Sequence, residues 1–175
     1  RYEPSELGPM PIPGGPGSYV ANASEHDGMG DTTHLPERHV QMTERRFGKL
    51  KLLHEDNYEA DNTSASIAVM PWGGSKGPTR EVWEQLQLSG EADLAWYYTM
   101  FLNPLPPALL EELKTKDLVI VPELNYQGQF SSILRSQGVK AESITQYTGL
   151  PFGIEDLTNR LLERIGVEQK EGVAV

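Results

Sequence analysis

The sequence predicts an α/β fold in which a mostly parallel sheet is covered by helices on both faces. Three observations predict it. From residue 65 onward, short apolar runs alternate with helix-length amphipathic segments, the pattern of repeated βαβ units. The runs are of the buried type, as in "VIVP" at residues 119–122, which suits strands covered on both sides. The intervening segments carry proline near their starts or glycine at their ends, as helices do.

The elements follow in order. Residues 1–17, dense in proline and glycine, are expected to form an extended lead-in. Residues 18–166 are read as one α/β domain, and residues 167–175 as a tail without periodicity. "SYVANAS" at 18–24 is short and β-prone, a candidate edge strand. "LPERHVQMTERRFGKLKLL" at 35–53 reads as a helix: Pro36 suits its first turn, and Val40, Phe47 and Leu50 fall roughly on one face. Arg38, Arg45, Arg46, Lys49 and Lys51 make it the basic element of an acidic chain. That charge reads first as a solvated polar face, and second as a helix that docks an acidic neighbour. "HEDNYEADNTS" at 54–64 reads as a polar connector. Then come a strand at 65–72, a helix at 73–90 closed by Gly90, a strand at 93–102, and a turn and short helix at 103–116. A strand at 117–124, a helix at 125–138, a strand at 139–147 and a helix at 153–166 complete the pattern, the last with Leu157, Leu161 and Leu162 at helical spacing.

Bulk properties narrow the function classes. The chain has 175 residues and a hydrophobic fraction of 38%, enough for one domain with a real core. Its 15 basic against 25 acidic residues give a formal charge of −10, which argues against nucleic acid as a partner, since phosphate contacts need clustered positive charge. No apolar run approaches the roughly 20 residues that span a bilayer, so no membrane partner is expected and a cytoplasmic location is. There are no cysteines, so this chain offers no disulfide, no thiolate nucleophile and no cysteine ligands to an iron–sulfur cluster. The first residue is arginine rather than methionine, compatible with a piece of something longer.

Three constellations draw attention. "WGGSKGPT" follows a strand and opens a helix, so Gly73, Gly74, Ser75 and Gly77 are a candidate anion contact. Neither the dinucleotide fingerprint nor the phosphate-loop pattern is present, and tight turning with close helix packing is the preferred reading. Glu25, His26 and Asp27 form an acidic loop near His34 and His39. Pro36 lies between two histidines five apart, so no metal site is expected, and the loop is read as bordering an interface. In "VPELNYQGQF", Glu123, Asn125, Gly128 and Gln129 stand where a buried strand ends. Such ends border the crevices in which ligands and partners bind in α/β sheets. Glu123 has no visible base or second acid beside it, so no catalytic residue is assigned, and Asn125 is expected to cap the next helix. Trp96, Tyr97, Tyr98 and Phe101 cluster on one strand and read as core or as subunit contact, which keeps a homodimer among the expected assemblies.

Taken in order, "PGSYVANASEHDGMGD", "RHVQMTERRFGKLK", "VMPWGGSKGPTREV", "VPELNYQGQF" and "GLPFGIEDL" resemble the C-terminal part of the alpha chain of 2-oxoacid:ferredoxin oxidoreductases, the 2-oxoglutarate type above all. The likeness runs from about Pro13 to Ile165. It implies a transketolase C-terminal-like domain: a three-layer α/β/α sandwich with a five-stranded sheet, one strand antiparallel, "GSYVANAS" being that strand. Enzymes of this family decarboxylate a 2-oxoacid on thiamine diphosphate, pass electrons through iron–sulfur clusters to ferredoxin, and transfer the acyl group to coenzyme A. The family's Tyr-Pro-Ile-Thr motif is absent here. The diphosphate and its magnesium belong to the beta chain in this family, so this chain alone is expected to hold no cofactor. Its expected partners are the remaining alpha-subunit domains and the beta subunit, with ferredoxin reached through the assembly. Glu123, Asn125, Gly128 and Gln129 match the family's E-x-N-x-x-G-Q positions, which implies a crevice facing neighbouring domains. The competing readings are a stand-alone anion- or nucleotide-binding module and, last, a complete enzyme with its site around Glu123 and the "EHD" loop.

Overall fold

A computed structural model describes residues 8, 10–18, 24–52 and 57–166. The chain divides into two compact units, Arg1–His54 and Glu55–Val175.

In the first unit the helix α1 spans Pro36–Gly48 and runs on as a 3₁₀ turn, Lys49–Leu52. Proline at its start has no amide hydrogen to leave unpaired. His39, Met42 and Arg46 share one side by their three- and four-residue spacing. Met42 is its buried residue, whereas Val40, Phe47 and Leu50 are exposed. Of the strand expected at 18–24, residues 19–23 lie outside the described residues.

The second unit is an α/β sandwich. Its elements are β1 (Glu59–Asp61), β2 (Ile67–Val69), α2 (Lys76–Ser89), β3 (Ala95–Tyr98), α3 (Pro107–Lys114), β4 (Leu118–Glu123), α4 (Gln129–Ser136), β5 (Ala141–Thr145) and α5 (Ile154–Arg164). The sheet order is β1-β3-β2-β4-β5. All neighbours are parallel except β1, which runs antiparallel to β3.

Alternation along each strand divides the core in two. Ala68, Met70, Ala95, Tyr97, Val119 and Val121 face one side, where Leu109 and Leu113 of α3 and Phe130 and Leu134 of α4 cover them. Val69, Trp96, Ile120 and Ile144 face the other, under Val82, Trp83 and Leu86 of α2 and Leu157, Leu161 and Leu162 of α5. Period-two side-chain placement thus turns each apolar run into two half-cores. Trp96 and Tyr97 are fully buried, so the aromatic cluster is chiefly core. Gly90 ends α2 with φ +68°, while the Glu91 N–H reaches back to the Leu86 carbonyl, a left-handed stop that glycine adopts without strain.

The antiparallel strand is a correction. Most of the segment expected in that role, 19–23 of 17–24, lies outside the described residues; among those described the antiparallel strand is Glu59–Asp61, inside the stretch read as a polar connector. Its residues are all exposed, so hydrophobic patterning cannot reveal it. Backbone pairing with β3 forms it, and charge braces it. Glu59 and Asp61, two apart, meet Lys76 at 2.6 Å and Arg80 at 2.7 Å, which are four apart on α2. Strand and helix periods coincide at that step. The Arg80 guanidinium also lies over the Trp83 and Trp96 rings, 4.4 and 5.0 Å from their centroids, and so ties the edge strand to the core face. At the opposite end of the sheet, the buried Lys116 ammonium donates to the carbonyls of Thr63 and Ala65, satisfying backbone acceptors where β2 begins.

Because the two half-cores lie on opposite faces of the sheet, their contributions should add. Leu134→Ala should destabilise by about 2–5 kcal/mol and Ile144→Val by about 0.5–1.5 kcal/mol. The double variant should match their sum within about 0.5 kcal/mol in urea unfolding. Strong coupling would contradict the separation of the two faces.

Candidate functional site at the strand-end crevice

β2 and β4 are adjacent, yet their following helices depart to opposite faces of the sheet. Their carboxyl ends therefore border the topological switch point, where α/β proteins open a crevice. The turn at 71–75 enters it from β2 and the turn at 124–128 from β4. These are the "PWGGS" and "LNYQG" segments, and bonds from Trp72 to Glu123 and from Ser75 to Pro122, 51 and 47 residues apart, link the first to the end of β4.

Glu123, the last residue of β4, is fully buried. Its Oε2 accepts the Phe130 N–H at 2.8 Å, the Asn125 amide at 2.9 Å and the Trp72 indole N–H at 3.3 Å. Its Oε1 accepts the Ser131 N–H at 3.0 Å. The carboxylate thus closes the first turn of α4, where free N–H groups and the helix dipole favour negative charge. Asn125 completes the cap: its Oδ1 accepts from the N–H groups of Gln127, Gly128 and Gln129 at 3.1, 2.8 and 3.2 Å. The Gln129 side chain is exposed.

Gly128 is required twice over. Its φ is +63°, and a Cβ there would lie 2.6 Å from Ser143 Oγ and 3.0 Å from Ser131 Oγ. The chain can turn into α4 this close to β5 only without a side chain.

On the β2 side, Gly73–Ser75 form a single 3₁₀ turn before α2. Buried Ser75 accepts the Trp72 N–H at 3.2 Å and donates to the Pro122 carbonyl at 2.8 Å. β2 pairs with β4 only as far as Val69 opposite Ile120, so the serine hydroxyl replaces a strand as partner for Pro122. Trp72 lies beside Phe130, ring centroids 6.3 Å apart. Gly74 and Gly77 are exposed, and a Cβ on Gly74 would meet Leu124 at 3.8 Å.

Beyond this base the edge turns apolar. Leu124, Tyr126, Tyr147 and Leu150 are exposed, and Tyr126 and Tyr147 meet edge to face at 5.0 Å. The Gln146 amide holds the second loop through the carbonyls of Leu150 and Pro151, both at 2.8 Å. Trp72, which sequence reasoning passed over, joins the two turns. Its signal was a single aromatic residue just after a buried strand, with nothing local to distinguish it from core.

Glu25, His26 and Asp27 belong to the first unit. Arg46 grips the Glu25 carboxylate with two bonds of 2.9 and 2.7 Å, and His39 Nδ1 is 2.7 Å from it. The Arg46 bonds hold the Glu25 carboxyl down at about 2. Asp27 Oδ1 accepts the N–H groups of Met29, Gly30 and Asp31, and these bonds, Met29 first, lower its pKa. All three loop residues are engaged within their own unit, His26 through the Asp27 carbonyl. Among the described residues no group of three histidines or acids is placed to hold a metal ion. No helix among them is long and apolar enough to cross a membrane.

Urea unfolding of variants and one titration check these contacts. Glu123→Ala should lose about 3–5 kcal/mol, since it strands buried donors. Glu123→Gln should lose about 1–3 kcal/mol, because an amide NH₂ then faces an N–H. Gly128→Ala should exceed Gly90→Ala, which meets open space and carries only the left-handed penalty of about 1–2 kcal/mol. Because the folded pKa of Glu25 lies below its ordinary 4.5, its contribution is complete above that value and fades as pH falls toward about 2. An NMR titration of the Arg46 guanidinium should follow that fall, and insensitivity over that range would refute the grip.

No family model matches the chain. The 2-oxoglutarate oxidoreductase subunit KorA of Mycobacterium tuberculosis is 30% identical over 151 residues, 83% of this chain and 23% of that protein. The 2-oxoacid:ferredoxin oxidoreductase subunit alpha of Saccharolobus solfataricus is 29% identical over 162 residues, 87% of this chain and 26% of that one. The solved 2-oxoglutarate:ferredoxin oxidoreductase from Magnetococcus marinus, with 2-oxoglutarate, coenzyme A and succinyl-CoA bound, matches 94% of this chain and 30% of its own at a TM-score of 0.74 and 32% identity. The chain spans about a quarter of the length of these curated relatives. Over most of its length, then, this chain is homologous to a part of the alpha subunits of 2-oxoacid:ferredoxin oxidoreductases.

Proposed function

We propose that this chain is an assembly domain of such an alpha subunit, with residues 18–166 acting as its transketolase C-terminal-like domain, and that it is not catalytic alone. One observation carries the reading. The polar side chains at the base of the switch-point crevice are turned inward: both Glu123 oxygens, Asn125 Oδ1 and the Ser75 hydroxyl hold the two turns. A carboxylate so placed is not poised to take a substrate proton. Its effect is to stiffen an edge on which exposed apolar residues stand, and such patches mark interaction surfaces.

The partners under this reading are the remaining alpha-subunit domains and a beta subunit, with ferredoxin reached through the assembly, in the cytoplasm, and with a homodimer of the whole as a further level. Elsewhere in that assembly, thiamine diphosphate with magnesium, an iron–sulfur cluster and coenzyme A supply decarboxylation of a 2-oxoacid such as 2-oxoglutarate, electron removal and acyl acceptance. Without cysteine this chain contributes no thiolate to a cluster. What its own residues do is bind and orient neighbours.

The test is reconstitution. The purified chain should give no 2-oxoacid-dependent reduction of a viologen dye. Adding the missing alpha portion and the beta subunit should give a defined complex by light scattering and restore thiamine- and coenzyme A-dependent reduction. Turnover by the 175 residues alone would overturn the proposal. So would failure to associate with folded partners. A rise in stability with nucleotides or coenzyme A, about 2.7 kcal/mol at 100 times the dissociation constant, would instead favour a ligand-binding module.

A further inference from the structure

We draw no further inference here: the strongest candidate, the exposed apolar patch of Leu124, Tyr126, Tyr147 and Leu150 at the carboxyl ends of β4 and β5, belongs to the strand-end edge already described, and nothing in the structure shows which surface covers it.

Discussion

The carboxylate of Glu123 organises the catalytically suggestive end of this fold. It leaves a central strand, is sealed from solvent, and accepts four hydrogen bonds from three separate segments. Each bond addresses a different problem. The bonds to Phe130 and Ser131 satisfy amides that every helix start leaves open. The bond to Asn125 orients an amide whose oxygen then gathers three further N–H groups. The bond from Trp72 crosses to the neighbouring turn. A charged acceptor makes each of these stronger than its neutral equivalent, and burial makes the arrangement all-or-none, since a partly satisfied buried charge is worse than none. The acid to which the sequence assigned no catalytic role is a keystone of backbone geometry.

Around that keystone the sheet and helices set the distances. β2 and β4 must lie side by side for Trp72 to reach Glu123 and for Ser75 to reach Pro122. Their adjacency follows from a chain that steps out to β3 and returns past β2 to β4. The two helices leaving this point lie on opposite faces, so their first turns spread apart and leave a crevice between them. Here the Trp72 indole and the Ser75 hydroxyl bridge the two turns. On the rim Leu124, Tyr126, Tyr147 and Leu150 are exposed, with Gln127 and Gln129 beside them.

Much of this was legible from residues alone. The helix of residues 153–166 could be drawn from Leu157, Leu161 and Leu162, and all three are buried. Gly90 marked a helix end because glycine tolerates the left-handed conformation found there. Asn125 could be proposed as a cap from its place three residues before Gly128, and its oxygen does collect the amides of the turn. The segment at 59–61 was illegible for a definite reason. An exposed edge strand has no buried face and hence no apolar alternation, and its partners, Lys76 and Arg80, lie beyond a whole strand and turn. Trp72 was illegible because an indole donor declares itself only when its acceptor is known.

The sequence by itself determined the alternation of strands and helices from residue 65 onward and the exclusion of cysteine chemistry, because these rest on local periodicity and composition. It also carried, in five short segments, the resemblance to the 2-oxoacid oxidoreductase alpha chain. Only the tertiary structure decided which strand is antiparallel, that the turn at residues 71–75 is bonded to the end of β4, and that Glu123 points inward. Those facts depend on pairings between residues far apart in the chain. The free energy of such a pairing lies in burial and donor geometry, and neither exists until the sheet has formed.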